Sequence, residues 1–394
     1  MTANPALSIA PPGFMNDPAL RAVLAALPSA RVVGGAVRDA LAGRPVADVD
    51  LATPEPPDRV IDALAAAGLK HAPTGLQHGT VTAISGGRGF EVTTLRTDER
   101  TDGRHAEVAW TTDWEQDAAR RDFTINAMSM QADGAVFDYF GGIEDLAQGR
   151  VRFVGDPARR IAEDYLRVLR FFRFLARYGS AAADAATLQA LSASVPGLGR
   201  LSVERVWSEL KRILAAPDPV DAIRRMSALG ILGAVLPEAT GLDALERLVR
   251  SGAPPDPLLR LTALHPGAAD LVERFRLSNT EAGLLRGLSG PAPDPVWRDD
   301  DLRRAMADTP PATLVGRTWL AGGDAAPWAA LRHRLTSVRR PVFPLHGRDA
   351  LALGVAAGPL VGVLLAEVRT WWMQGGCVAG AAQCRAELAR RAAG

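Results

Sequence analysis

Apolar positions along this chain follow two different periods. Between residues 31 and 140 short apolar runs alternate with helical stretches, and from about residue 156 the helical period takes over and persists to residue 394. The first region begins with Arg31-Val32-Val33, a short apolar strand that runs into Gly34-Gly35. The spacing predicts a helix over 36–42, closed by Gly43 in the position that ends many helices. Asp48-Val49-Asp50-Leu51-Ala52 alternates polar and apolar residues, the pattern of a half-buried strand. A turn and a helix start over 54–58, and that helix is expected to reach residue 69. Strands over 79–84 and 90–95 flank Ser85-Gly86-Gly87-Arg88-Gly89, a hairpin turn. A long polar stretch, 96–117, then leads to Arg120-Arg121-Asp122, which runs into Phe123.

In the second region Asp156 is a good N-cap and Pro157 suits a first helical position. One helix is predicted over 157–178, ending at Gly179. Gly/Pro stretches near 216–219, 253–257, 289–295 and 321–327 divide the helices that follow, and no internal repeat is visible. The expected fold class is α+β. Residues 1–27 read as an N-terminal extension with a short helix near 20–26. An α/β head spans 28–150, a helical neck 151–215, and a helical body and tail 216–394.

Composition narrows the class. Of the 394 residues 47% are hydrophobic, 23% charged and 6% aromatic, which excludes wholesale disorder. No run of 18 or more apolar residues occurs, so no membrane span is expected. The first 17 residues lack the basic-then-apolar order of a signal peptide, and the expected location is the cytoplasm. Cys377 and Cys384 are the only cysteines; a lone pair is no zinc framework, and they read as buried thiols. The net charge of +1 hides an uneven distribution of arginine. One cluster runs over 150–177. Another falls in 325–347, where Arg332, Arg334, Arg339 and Arg340 occur with no acidic residue. Guanidinium clusters suit phosphate, although a solvated helix face has the same composition.

Candidate chemistry begins at the glycines. Gly34-Gly35 before a helix lets the backbone approach a ligand and aims the first helical N–H groups at it, an arrangement that suits an anion. Arg38, one turn in, adds a cation. A Gly-Gly turn also serves any tight strand–helix connection, so the carboxylates decide. In a strand, residues i and i+2 share a face, so Asp48 and Asp50 project together. Like charges so placed repel unless a cation lies between them. Oxygen donors of this kind suit Mg²⁺. A phosphate cradle beside such a pair points to phosphoryl transfer assisted by two metal ions. Glu91, on the neighbouring hairpin, is a candidate third carboxylate. No P-loop and no Gly-x-Gly-x-x-Gly after a strand is present, which argues against a P-loop ATPase and a dinucleotide-binding domain.

These residues resemble a known family. Gly34-Gly35-x-Val37-Arg38-Asp39 followed by Asp48-x-Asp50 is similar to the first motif of class II CCA-adding enzymes and bacterial poly(A) polymerases. Arg120-Arg121-Asp122-Phe123-Thr124-Ile125-Asn126-Ala127-Met128 resembles their second motif, and Glu163-Asp164-x-x-Arg167-x-x-Arg170-x-x-Arg173-Phe174 the motif that contacts the incoming base. Leu345-His346-Gly347-Arg348-Asp349 through Gly358-Pro359-Leu360-Val361-Gly362 is similar to their tail. The resemblance implies a polymerase-β-like nucleotidyltransferase head, with two Mg²⁺ ions at Asp48 and Asp50. It implies nucleotide contacts at Gly34, Gly35, Arg38, Arg121 and Asn126, with Asp122 near the ribose. Asp164, Arg167, Arg170 and Arg173 would line the base and triphosphate pocket.

The implied substrates are CTP, ATP and tRNA, without a membrane partner. Asp164 and Arg167 fall three apart on the one predicted helix and so are expected to be neighbours, the first accepting and the second donating. Cytosine and adenine each offer an amino donor beside a ring-nitrogen acceptor, whereas uracil and guanine present the reverse. A pairing of this kind discriminates by about 1–3 kcal/mol. Gly75-Leu76-Gln77-His78-Gly79-Thr80-Val81 resembles the CCA-adding branch. The stretch 96–117, with Asp102-Gly103-Arg104-His105, resembles the flexible loop of enzymes that add the terminal A. His78 and His105 read as structural or loop residues. The alternatives are a poly(A) polymerase of the same family and a catalytically silent RNA-binding protein. The helical region beyond about residue 180 is expected to hold tRNA by shape and phosphates, with the four arginines of 325–347 as candidate contacts. Trp371-Trp372 read as core or interface residues.

Overall fold

A computed structural model describes residues 4–101, 106–267 and 270–393. Contacts divide the chain into two compact units, Met1–Pro237 and Glu238–Gly394.

The first unit is built on ten strands: β1 (Leu7–Ser8), β2 (Arg31–Val33), β3 (Asp50–Thr53), β4 (Lys70–Gly75), β5 (Thr80–Ser85), β6 (Arg88–Thr94), β7 (Arg96–Thr101), β8 (Ala106–Trp110), β9 (Ser129–Met130) and β10 (Ala135–Phe137). Eight form one sheet in the order β1-β10-β9-β2-β3-β6-β5-β4, while β7 and β8 pair separately. All neighbours in the large sheet are antiparallel except β3 and β6. Gly86 and Gly87, at φ 56° and 75°, make the β5–β6 turn that the sequence predicts.

Its helices are α1 (Pro18–Ala26), α2 (Gly35–Leu41), α3 (Pro57–Ala66), α4 (Trp114–Ala119), α5 (Gly142–Ala147), α6 (Pro157–Glu163), α7 (Leu166–Tyr178), α8 (Ala185–Ala193), α9 (Val203–Leu214), α10 (Val220–Ala228) and α11 (Ile231–Val235). The N-terminal segment packs onto the sheet through α1. Leu20, Val23, Leu24 and Leu27 recur with helical spacing and are buried in one core with Val32, Leu51, Val81 and Phe90. In addition, β1 pairs with β10 and forms one edge of the sheet.

Three local expectations change. The ladder of β3 starts at Asp50, so Asp48 lies just before the strand instead of within it. The polar stretch 96–117 holds the β7–β8 ladder and α4. Its root is tied down where Arg96 Nη1 donates to the His78 carbonyl at 2.7 Å and Thr111 N–H to Leu95 O at 2.9 Å. Asp102, Gly103, Arg104 and His105 lie outside the described residues. Finally, the helix predicted over 157–178 is two helices. Asp164 takes an extended conformation, φ −156° and ψ 108°, between α6 and α7. Its Oδ1 accepts the Leu166 N–H at 3.0 Å. An aspartate that caps the next turn competes with continuation of its own helix.

The segment from Phe123 packs against the second of these helices through aromatic rings. Phe123 lies 4.7 Å from Phe153 and 5.2 Å from Phe174, and Phe153 lies 5.9 Å from Phe171, centroid to centroid. Such clusters bury large areas and hold fixed geometries. They set the polar face of α7 opposite β3.

The second unit is helical. Among the described residues it has ten α-helices, from Leu242–Arg250 to Ala381–Ala392. Leu302, Met306, Leu314, Leu331 and Leu335 form one core, and Leu345, Leu364, Val368, Trp372, Cys384 and Leu388 form another. Cys377 and Cys384 are free and buried, and burial pushes both thiols up. Among the described residues no helix is long and apolar enough to cross a membrane.

Candidate active site

Asp50 opens β3 as the last polar residue before the buried Leu51-Ala52-Thr53. The parallel register sets Leu51 opposite Val92 on β6, so Asp50 stands level with Glu91. Both carboxylates are exposed, on the face opposite the buried pair beneath them. Asp50 sits at the mouth of a cleft and is partly dehydrated there. That burial, then Glu91, push its carboxyl up; Arg121 opposes them and Asp48 adds to them. Asp50 therefore senses the other two predicted carboxylates. Among the described residues no three His, Cys, Asp or Glu side chains converge closely enough to hold an ion unaided. A partial set of hard oxygens fits Mg²⁺, which is commonly held by one or two carboxylates together with substrate phosphates.

The cleft beside Asp50 has a volume of about 470 Å³. It brings together Gly34, Gly35, Arg38, Arg121, Asp122, Asn126, Asp164, Arg167, Arg170 and Arg173, predicted from segments far apart in sequence. Gly34 has φ 66°, and a Cβ there would stand 3.0 Å from Arg121 Nη1. Glycine thus both permits the turn and lets that guanidinium approach the backbone.

Each arginine lining the cleft is backed by a carboxylate. Arg38 Nη2 lies 3.0 Å from Asp39 Oδ1, and Arg121 Nη2 lies 3.3 Å from Asp117 Oδ2. Arg167 bonds Glu163, and Arg170 Nε donates to Asp122 Oδ2 at 2.6 Å. Arg173 Nη1 lies 3.0 Å from Glu209 Oε1. Arg205 Nη2 lies 2.7 Å from Asp164 Oδ2. Burial, reinforced by neighbouring Arg170, lowers the Arg173 guanidinium to about 10. It remains charged at neutral pH.

Two of these residues were not singled out in the sequence. Arg205 lines the cleft from α9 and holds Asp164. Glu209, 3% exposed, holds Arg173 from the same helix. Glu209 did carry a signal. It falls on the helical stripe of Val206, Leu210 and Ile213, where a carboxylate requires a partner.

The expected Asp164–Arg167 pair is not formed. The two stay adjacent across the break, the Arg167 N–H donating to Asp164 O at 3.0 Å, but their side chains turn to other partners: Arg205 takes Asp164, and Arg167 Nη1 donates to the Arg160 carbonyl at 2.8 Å besides bonding Glu163. Both side chains still line the cleft.

Asp122 is 9% exposed and fully engaged. Its Oδ1 accepts the Phe123 N–H at 2.9 Å and Asn126 Nδ2 at 3.1 Å, and its Oδ2 takes Arg170. Burial opposes its ionisation, but Arg170 and these bonds hold the carboxyl below its ordinary value. A depressed folded value contributes stability that is present above the unfolded value, about 3.9, and is lost as pH falls through the folded one. Thermal midpoints of the wild type and Asp122→Asn should therefore differ at pH 7 and converge below about pH 3.9. A constant difference down to pH 2 would refute this assignment.

The arginines of 325–347 do not present one free cationic face. Arg332 lies 3.5 Å from the Trp319 ring centroid and donates to Gly323 O at 2.7 Å. Arg334 Nη2 pairs with Asp299 at 2.7 Å. Arg340 Nε donates to Met306 O at 2.9 Å. Arg339 and Arg340 remain exposed.

Acidic residues on two neighbouring interior strands, beside an arginine-lined cleft and followed by helices, define a nucleotidyltransferase. Residues 30–152 match the family model of the poly A polymerase head domain, and residues 183–242 that of the probable RNA- and SrmB-binding site of polymerase A. The chain is 37% identical over 359 residues to CCA tRNA nucleotidyltransferase 1, mitochondrial, of Danio rerio, covering 87% of this chain and 83% of that protein. It belongs to the family of CCA-adding tRNA nucleotidyltransferases, enzymes that extend the 3′ end of tRNA with C, C and A. It is also 33% identical over 348 residues to the CCA-adding enzyme of Geobacillus stearothermophilus, covering 84% of this chain and 85% of that one. The crystal structure of the Bacillus stearothermophilus CCA-adding enzyme in complex with CTP is similar at a TM-score of 0.73 and 28% identity, covering 96% of this chain and 98% of that one. These relatives favour CCA addition over the poly(A)-polymerase and silent RNA-binding readings.

Proposed function

We propose that this cleft transfers CMP, CMP and then AMP from CTP and ATP to the 3′ end of tRNA, releasing pyrophosphate at each step. The observation that carries the proposal is the group Asp48, Asp50 and Glu91 beside a cleft lined by six arginines. Two Mg²⁺ ions at Asp48 and Asp50 would supply Lewis acidity to the attacking hydroxyl and the leaving pyrophosphate. Gly34 and Gly35 give the triphosphate access to the backbone, while Arg38 and Arg121 bind its oxygens. Asn126 aligns Arg38, and Asp122 sets Arg170 near the sugar. Asp164, at the break between α6 and α7, and Arg167, in the first turn of α7, face the base edge, one accepting and one donating. Arg170 and Arg173 complete the wall.

Similarity to the tRNA nucleotidyltransferases supports tRNA as the acceptor, and the structural relative with CTP supports CTP. The helices beyond residue 180 take the duplex by shape and phosphate. Arg332 is held by Trp319 and Gly323 and Arg334 by Asp299, so Arg339, together with the still exposed Arg340 that gives only Nε to Met306 O, carries the phosphate assignment. The division into head, neck, body and tail and the cytoplasmic location belong to the same proposal.

The test is incubation with Mg²⁺, labelled CTP or ATP, and tRNA ending before CCA. The expected result is ordered incorporation of C, C and A. Runs of A from ATP alone on any RNA would favour a poly(A) polymerase, and no incorporation would overturn the reading.

A further inference from the structure

Arg167, Arg170, Phe174 and Tyr178 fall along one side of α7, three or four residues apart. The first three line the nucleotide cleft. Tyr178 lies just beyond, on a separate cavity of about 400 Å³ that it shares with Leu41, Arg44 and Leu146. Its ring centroid is 4.5 Å from the Arg38 guanidinium and 4.7 Å from that of Arg44. Its hydroxyl donates to Asp39 Oδ1. The same oxygen accepts Arg38 Nε at 3.1 Å and Arg38 Nη2 at 3.0 Å. On the other side, Arg38 Nη1 donates to Asn126 Oδ1 at 2.6 Å.

A guanidinium has five N–H groups in a fixed plane. Asp39 and Asn126 take three of those of Arg38, leaving one on each Nη nitrogen. Two N–H groups on neighbouring nitrogens suit two oxygens of one phosphate. That fit depends on the plane of the guanidinium, which Asp39 sets.

We propose that Asp39 and Tyr178 are positioning residues that fix the plane of Arg38 for the nucleotide's phosphates, with Tyr178 making that alignment depend on the docking of α7 against α2. The proposal rests on the nucleotide contact assigned to Arg38. Without the phenol, Asp39 Oδ1 answers only to Arg38, and the pair turns as a unit. Burial, and then the bond to Asp39, push the phenol up, so it stays a donor throughout the working pH range. The adjoining cavity gives the ring room to swing once the hydroxyl contact is lost.

Phosphates held by Arg38 are held in the ground state and the transition state alike, so loosening it should move KM and spare kcat. Steady-state CTP and ATP incorporation by the full chain would be measured for Arg38→Ala, Tyr178→Phe, Asp39→Asn and the double variant Tyr178→Phe/Asp39→Asn. Tyr178→Phe is expected to raise KM for both nucleotides about fivefold, with kcat within about twofold and the thermal midpoint nearly unchanged. Asp39→Asn should raise KM more, and adding Tyr178→Phe to it should cost nothing further, because the phenol acts through the carboxylate. If Arg38→Ala leaves KM unchanged, the nucleotide contact itself is wrong. If Arg38→Ala raises KM but Tyr178→Phe does not, the positioning role is wrong. A Tyr178→Phe variant with a lower thermal midpoint and lower kcat at unchanged KM would show a packing residue and overturn the proposal.

Discussion

Replacing Asp50 with alanine is expected to lower nucleotide incorporation by on the order of 10³-fold or more, with tRNA affinity nearly unchanged. The carboxylate opens β3 at the mouth of the cleft, and the chain's other acidic groups there cannot substitute for it. Asp48 lies outside the ladder, and Glu91 comes from the neighbouring strand. Stability should move the other way. Burial, Glu91 and Asp48 all act against the charge of Asp50. Removing one of three mutually repelling carboxylates relieves that strain, and the buried Leu51 beneath keeps its packing. Asp50→Ala should therefore melt at or above the wild-type temperature while being nearly inactive. Asp48→Ala should match it in activity. Single-turnover incorporation and calorimetry on the same preparations check both halves. An Asp50→Ala enzyme within tenfold of wild type would remove this residue from the reacting centre.

Asp164→Ala is expected to relax base choice by about 1–3 kcal/mol, on the order of ten- to a hundredfold in the ratio of CTP to UTP incorporation. The side chain is held at both ends: Oδ1 takes the Leu166 N–H, and Oδ2 takes Arg205. Such a carboxylate is aimed before any base arrives. Losing it should admit bases that present a carbonyl where C and A present an amino group, while leaving the triphosphate contacts in place. Arg205→Ala should give a weaker version of the same defect, since it frees Asp164 without deleting it. Competition between labelled CTP and UTP measures the ratio. Full selectivity in Asp164→Ala would mean that the base is read elsewhere.

Much of this site was readable because its signals are local. Two glycines before a helix and a Gly-Gly hairpin turn each follow from backbone freedom over a few residues, and Gly179 closes α7 by turning to an extended conformation. The strand that was expected to set Asp48 and Asp50 on one face begins two residues late, at Asp50, and leaves Asp48 outside the ladder. The break at Asp164 was missed because Leu166, Leu169 and Phe172 keep helical spacing past it, whereas the competing hydrogen bond belongs to one side chain. Three of the six acid partners of the cleft arginines were out of reach for another reason. Asp122 is 48 residues from Arg170, Asp164 41 from Arg205, and Glu209 36 from Arg173. Pairs at such separations are set by how helices dock. Likewise, Arg334 stands in a stretch without acids, yet its partner Asp299 is 35 residues away in sequence. A charge count along the chain measures local density only.

The carboxylate behind every cleft arginine bears on how the enzyme cycles. In the proposed reaction an incoming triphosphate would meet guanidiniums already partnered, and would join or displace an existing ion pair instead of quenching a bare charge. Departing pyrophosphate leaves those same carboxylates ready to reclaim their cations. Both exchanges separate less charge than binding to isolated arginines would. The cleft thus gives up some affinity and in return avoids being trapped by its own product, a useful property for a catalyst that must empty and refill three times on one RNA end.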